Sequence, residues 1–236
     1  MNFLGIIPAR AGSKSIKNKN IVKLNGKPLI YYTITAAKKS ILGDNFIVST
    51  DDPKIIKICK ELKVKYFFKR PIKLSSDKTT AIELLKYLVK DLEKKKFKFK
   101  NIVYLQPTSP FRNSLILDKA IKTYKKNLNI DSLISISEVE SNHPARMKFM
   151  NKNNILIDNY YTEKKEGSNK QELKKMYIRN GAIYIFKKKN LKSGTIKGKK
   201  SYGFLMSGNQ SINIDGLNDL NYAKFLINQN PKILQI

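Results

Sequence analysis

Phe46-Ile47-Val48-Ser49-Thr50-Asp51-Asp52-Pro53 is the stretch that decides how this chain folds. A short apolar run reads as a buried strand. Asp52 follows as a helix N-cap and Pro53 as the first helical position, where its missing N–H matters least. A strand that passes straight into a capped helix is half of a β–α–β unit.

The same unit recurs on both sides. Upstream, Phe3 to Ile7 reads as a buried strand, residues 9–20 as a loop, and Asn25-Gly26-Lys27-Pro28 as a turn. Leu29 to Lys39 then reads as a helix with Ile30, Ile34 and Ala37 on one face. Downstream, strands are expected at Val64–Phe68, Ile102–Leu105 and Ser132–Ser137, and helices at Thr79–Leu92 and Ser114–Lys125. The stripe Leu84, Leu85, Leu88 and Val89 reads as core. Residues 182–186, 202–206 and 211–214 read as strands that resume the sheet, and Asp219–Asn228 as the last helix. Regular alternation with short loops predicts a doubly wound, mostly parallel α/β sheet with helices on both faces. Ligands bind such sheets at the carboxyl ends of the strands, here residues 8–20, 49–53, 69–80 and 106–112. From about 138 to 180 the pattern breaks. Phe149 to Leu156 reads as a hairpin about Asn151-Lys152-Asn153-Asn154, followed by a polar stretch. An inserted hairpin of this kind is expected to pack on something, such as a second subunit.

The chain has 236 residues, of which 47 are basic and 18 acidic, for a formal charge of +29. Such a charge invites a nucleic-acid reading. Only five of the basic residues are Arg, and there are 23 Asn. The lysine clusters 94–96, 187–189 and 197–200 themselves contain none of the aromatics on which a single-strand binder stacks bases. The charge is therefore read as composition, with a general attraction for polyanions such as nucleoside triphosphates. No apolar run approaches the ~18 residues of a membrane helix. Met1 to Pro8 carries no basic leader, so no signal peptide is expected. The single cysteine, Cys59, lies on a helical apolar stripe and excludes an internal disulfide framework. A cytoplasmic protein is expected.

In a chain this rich in Lys, the five Arg mark places where a planar fork is wanted. They are Arg10, Arg70, Arg112, Arg146 and Arg179. The loop after the first strand, Pro8-Ala9-Arg10-Ala11-Gly12-Ser13-Lys14-Ser15-Ile16-Lys17-Asn18-Lys19-Asn20, can offer backbone N–H groups to phosphates. Arg10 adds a fork, and Lys14, Lys17 and Lys19 can neutralise charge that builds up in phosphoryl or nucleotidyl transfer. The loop is neither G-x-G-x-x-G nor a Walker loop. His143, the one histidine, reads as shaping the turn before Pro144, and Asp51 and Asp52 as a strand end and helix cap rather than metal ligands.

Seven segments, in order, resemble the CMP-sialic acid synthetases (acylneuraminate cytidylyltransferases). They are Ile7 to Lys14 with Lys19-Asn20; Val48 to Asp52; Arg70-Pro71 with Ser76-Asp77; Leu105 to Arg112; His143-Pro144; Arg179 to Tyr184; and Ile212 to Asp215. The resemblance covers nearly the whole chain. It implies one Rossmann-like domain over 1–236 with a dimerisation subdomain at about 138–180. It also implies the reaction: CTP and a nine-carbon acid sugar give the CMP-sugar and pyrophosphate, with Mg²⁺.

By the same resemblance Arg10, Lys19 and Asp215 are catalytic. Arg10, Gly12, Ser13, Lys14, Lys19, Asn20, Arg70, Ser76, Thr79 and Thr80 hold the nucleotide. Gln106, Arg146, Lys170 and Gln171 face the sugar, the last group from a partner subunit in a homodimer. Asp215 and Asn213 hold the metal. The chain departs from the family pattern at Asn213, where an acid is usual, and at Ser15, Lys170 and Lys174, where Gly, Arg and Pro are common. Two near alternatives keep the chemistry and change the sugar to legionaminic or pseudaminic acid, and a more distant one to 3-deoxy-manno-octulosonic acid. A nucleic-acid-binding α/β protein and an inactive scaffold are the rivals of other classes.

Overall fold

Strands of a parallel sheet must be covered on both faces, and the central strand shows how this chain meets that demand. In β1, Phe3–Pro8, the residues from Phe3 to Ile7 are buried. Phe3 and Ile7 face one core layer and Leu4 and Ile6 the other. The computed structural model of the chain describes residues 3–13, 15–139, 141–163, 167 and 169–234.

After β1 a small hairpin, β2 (Lys23–Leu24) and β3 (Lys27–Pro28), turns at Asn25 and Gly26, both at positive φ. It is followed by α1 (Leu29–Lys39), β4 (Phe46–Thr50), α2 (Pro53–Glu61), β5 (Tyr66–Lys69), α3 (Ala81–Lys94), β6 (Asn101–Tyr104) and α4 (Ser114–Lys126). The second half has β7 (Ser132–Glu138), the hairpin β8 (Lys148–Met150) and β9 (Leu156–Asp158), then β10 (Tyr177–Lys187), β11 (Ser201–Leu205) and α5 (Leu217–Gln229). The main sheet runs β11-β7-β10-β6-β1-β4-β5. β10 is antiparallel to β6 and β7, and the other pairings are parallel.

The expected alternation is therefore present, with helices on both faces. α1, α2 and α4 bury Ile30, Ile34, Ile55, Cys59, Leu117 and Ile121 against one face of the sheet. α3 buries Leu84, Leu85, Leu88 and Leu92 against the other. Burial pushes the Cys59 thiol up to about 12, so it is a packing residue and not a nucleophile. Asp52 caps α2, its carboxylate accepting from Lys54 N at 2.8 Å, with Pro53 at the first helical position.

Two expectations need correction. The third strand starts at Tyr66 rather than Val64. Lys63 adopts a left-handed conformation that closes α2, and Val64 N donates to Cys59 O at 2.8 Å. Residues 211–214 are not a strand. Asn209–Ser211 is a 3-10 turn and residues 212–215 run outside the sheet, with Ile214 N donating to Thr108 O at 2.8 Å. The apolar side chains Ile212 and Ile214 are taken up by a third core cluster with Leu24, Leu29, Phe111 and α5. That packing satisfies the alternating pattern without a ladder.

Candidate active site

The carboxyl ends of β1, β5 and β6 meet at a cavity of about 270 Å³ lined by Pro8, Arg10, Ser13, Lys19, Asn20, Arg70, Thr79, Thr80, Gln106 and Asp215, among others. The first loop is held in place by side chain–backbone bonds. Ala11 N donates to Asp51 Oδ1 at 2.9 Å, and Asn20 Nδ2 to Arg10 O at 3.0 Å. Asp51 thus orients the loop, a role not read from the sequence, while Asp52 caps a helix as expected. Arg10 donates to Ser75 O at 3.1 Å and is paired with Asp77. Lys19 Nζ lies 2.9 Å from Asp215 Oδ1.

Arg70 is buried and donates through Nε to Leu74 O at 2.6 Å, which folds the 70–74 turn onto the cavity wall. Burial lowers its guanidinium from the usual value, with Tyr104 and Asp51 opposing the shift. The N-terminus of α3 opens on the same cavity through Thr79, Thr80 and Ala81. A capping box holds that end: Glu83 N donates to Thr80 Oγ1 at 3.2 Å, and Thr80 N to Glu83 Oε2 at 2.7 Å. Three cationic side chains and the positive end of a 14-residue helix therefore line one cavity, which suits a polyanion.

A second cavity of about 430 Å³ adjoins the first at Gln106 and Asp215, and adds Ser137, Arg179, Asn180, Gly181, Tyr184, Ser211 and Asn213. It has one cationic side chain and many neutral hydrogen-bonding groups. A bulge in β10 between Arg179 and Tyr184 builds its floor. Gly181 sits at φ +77°, and a Cβ there would meet Gln106 Oε1 at 2.6 Å, so the position favours glycine. Asn180 is buried; its Oδ1 accepts from Ser135 Oγ at 2.6 Å and from Ala182 N at 3.2 Å, and its Nδ2 has no partner. The amide hydrogens are thus left as fixed donors.

Most of the residues singled out from the sequence come together here. Arg10, Ser13, Lys19, Asn20, Arg70, Thr79 and Thr80 line the first cavity, Gln106 and Asp215 both, and Asn213 the second. Ser76 is exposed and does not line the cavity; its Oγ is 3.0 Å from Oγ1 of Thr79, which does. Gly12 lies in the loop at φ +70°. Arg146 and Gln171 are exposed and line neither cavity of their own chain. Lys14 and the Lys170 side chain lie outside the described residues. His143 shapes its turn as expected: Nδ1 accepts from Ala145 N at 3.1 Å, and Nε2 is 3.0 Å from Lys174 O. Sequence reasoning gave no role to Asn180, Ser137 or Ser211. The signal was the Asn180-Gly181 pair inside a strand-like run, since Gly within a strand marks a bulge or a close approach.

The family model for cytidylyltransferases matches residues 4–224 of this chain. Among curated proteins, the pseudaminic acid cytidylyltransferase of Campylobacter jejuni is 33% identical, covering 98% of both chains. The N-acylneuraminate cytidylyltransferase of Streptococcus agalactiae serotype V is 34% identical over 93% of this chain and 52% of its own length. The chain is a member of the CMP-sialic acid synthetase family. It spans about half the length of the streptococcal relatives it matches. The CMP-N,N'-diacetyllegionaminic acid synthase of Legionella pneumophila is 29% identical, covering 99% of this chain and all of that one. The solved structure of a CMP:2-keto-3-deoxy-manno-octonic acid synthetase complexed with CTP has the same fold, with a TM-score of 0.68 at 15% identity over 97% of this chain and 99% of that one. The two adjoining cavities give a cationic half and a neutral half that share Gln106 and one carboxylate, Asp215.

Proposed function

We propose that this chain transfers the cytidylyl group of CTP to the anomeric hydroxyl of a nine-carbon acid sugar, releasing pyrophosphate. The observation that carries the reading is that the cationic cavity and the neutral cavity meet at Gln106 and Asp215. CTP fits the first, with Arg10 and Lys19 on the triphosphate, the loop around Gly12 and Ser13 beside it, and Asn20 helping to position the nucleotide. Arg70 and the Ser76–Thr80 turn lie by the base and ribose. The sugar fits the second. Arg179 is a fork for its carboxylate, and Asn180 and Gln106 bond its hydroxyl and amide groups. The hydroxyl then attacks the α-phosphorus at the junction. Arg10 and Lys19 stabilise the charge that builds up on the departing pyrophosphate.

Mg²⁺ fits the same junction. Asn213 Nδ2 lies 2.5 Å from Asp215 Oδ2, and the Asp215 side chain is 69% exposed. Mg²⁺ is commonly held by one or two carboxylates together with substrate phosphates. Asp215 supplies the charge and Asn213 a neutral oxygen once its carboxamide rotates. When bound, such an ion lowers the pKa of a hydroxyl and offsets phosphate charge. Until then, Lys19 is the counter-ion of Asp215.

The hairpin supports assembly as a homodimer. Phe149, Met150, Leu156 and Ile157 are 60%, 64%, 67% and 49% exposed on β8 and β9, an apolar surface that a second copy would cover. Arg146, Lys170 and Gln171 belong to the same segment, which accords with their facing the partner's sugar cavity. No helix among the described residues is long and apolar enough to cross a membrane, and we place the reaction in the cytoplasm. The charge of +29 would concentrate anionic substrates near the cavity without specific nucleic-acid binding. A pyrophosphate-release assay with CTP, Mg²⁺ and N-acetylneuraminic, legionaminic and pseudaminic acids tests the reading.

A further inference from the structure

Arg112 is 1% exposed. Among the described residues no carboxylate pairs with it, and burial alone lowers its guanidinium to about 9. An unpaired buried cation is expensive to keep. In this chain, where Lys is the usual basic residue, the position therefore needs the shape of the fork.

The fork ties three elements together. Nη1 donates to Ala182 O at 2.6 Å and to Gln106 O at 3.2 Å, and Nη2 to Thr33 Oγ1 at 2.6 Å. Thr33, from α1, lies 3.4 Å from the same Gln106 carbonyl. The ladder between β6 and β10 ends at the Tyr104–Tyr184 pair, because β10 bulges between Arg179 and Tyr184. Arg112 stands where that ladder stops, between the carbonyl of Gln106 on one side and that of Ala182 on the other. These two residues flank the contact at which Gln106 Oε1 closes on Gly181, and Asn180, with its free donors, is two residues from Ala182.

We infer that Arg112 is a positioning residue for the sugar half of the site. It touches neither cavity. It holds the backbone of Gln106 and of the bulge, so that Gln106 and Asn180 keep their places in the second cavity. This inference rests on the sugar occupying that cavity. The nucleotide-side residues Arg10, Lys19 and Arg70 take no bond from Arg112, so a loosened fork affects the two substrates unequally.

The test compares wild type with Arg112→Lys and with Thr33→Val. The second variant removes one acceptor and the second pin on Gln106 O while keeping the helix and the charge. Sugar KM is read from pyrophosphate release, CTP Kd from calorimetry without sugar, and folding from circular dichroism and melting. Arg112→Lys should raise sugar KM about tenfold or more, and Thr33→Val about two- to fivefold, with CTP Kd within twofold of wild type in both. Equal losses for CTP and sugar, or unchanged sugar KM in both folded variants, would overturn the inference. If Arg112→Lys does not fold, Thr33→Val decides alone. If wild type itself turns over none of the sugars, it is the functional reading that fails.

Discussion

Lys19 Nζ lies 2.9 Å from Asp215 Oδ1, joining the first loop to the segment before the last helix across 196 positions of sequence. The pair places a cation and a carboxylate of the proposed reaction in direct contact. In the proposed reaction the same carboxylate serves the metal. Asp215→Asn is expected to lower pyrophosphate release by a hundredfold or more with little change in melting temperature, since the side chain is exposed and serves no core. Asn213→Asp is expected to be tolerated and to lower the Mg²⁺ concentration at half-maximal rate. Kinetics over a magnesium series checks both. Most of the activity surviving in Asp215→Asn would place the metal elsewhere.

Arg10 reaches Ser75 O and Asp77 from the first loop. Arg10→Lys keeps the charge and loses the fork. Turnover with CTP should fall about tenfold or more, because a hydrogen bond to a charged group contributes roughly 1.5–3 kcal/mol. Unchanged kinetics would reduce Arg10 to a surface residue.

Gly181→Ala should impair both stability and sugar affinity. At φ +77° an added Cβ is strained, and it meets Gln106 Oε1 at 2.6 Å. A strained position of this kind costs on the order of 1–3 kcal/mol. Thermal melting and sugar KM should both move, and CTP affinity should not.

The fold and the chemistry were legible to different degrees. The β–α alternation was readable because the inner parallel strands β1, β4 and β6 are buried on both faces and the helices between them carry one apolar face. The Asp52-Pro53 start of α2 was read correctly because capping is local chemistry. Residues 211–214 misled because alternation reports which side chains are buried, not what the backbone bonds to. Ile212 and Ile214 bury themselves against α5 without a strand partner. Arg10, Lys19 and Arg70, which line one cavity, were singled out because cations after strand ends are conspicuous. Asn180 and the hydroxyls of the second cavity were passed over because neutral polar residues are common, and only the bulge at Gly181 gives them a direction.

Asp131 ties the start of β7 to Lys187 Nζ at 3.1 Å and to the amides of Lys199 and Lys200 at 3.1 and 3.3 Å. The bond from Lys187, then those from Lys200 and Lys199, hold its carboxyl below the usual carboxylate range. A depressed folded pKa gives stability that is present above the unfolded value, about 4, and is lost as pH falls through the folded value. Asp131→Asn should therefore lower the melting temperature by a few degrees at pH 7. The gap from wild type should narrow as pH falls below 4. A gap that does not depend on pH would show that the carboxylate charge contributes nothing.

Phe149→Asp on the exposed hairpin should give a monomer by light scattering if β8 and β9 cover a second copy. With Arg146, Lys170 and Gln171 no longer delivered across the interface, sugar KM should rise by about tenfold while CTP binding holds. A variant that stays dimeric would move the interface off the hairpin.

The central claim is tested most directly by incubating the chain with CTP, Mg²⁺ and each nine-carbon acid sugar, and measuring pyrophosphate and CMP-sugar together. The account predicts release of pyrophosphate with at least one sugar, matched one to one by CMP-sugar, and none with CTP alone. No release with any sugar, or release that does not depend on the sugar, would contradict it.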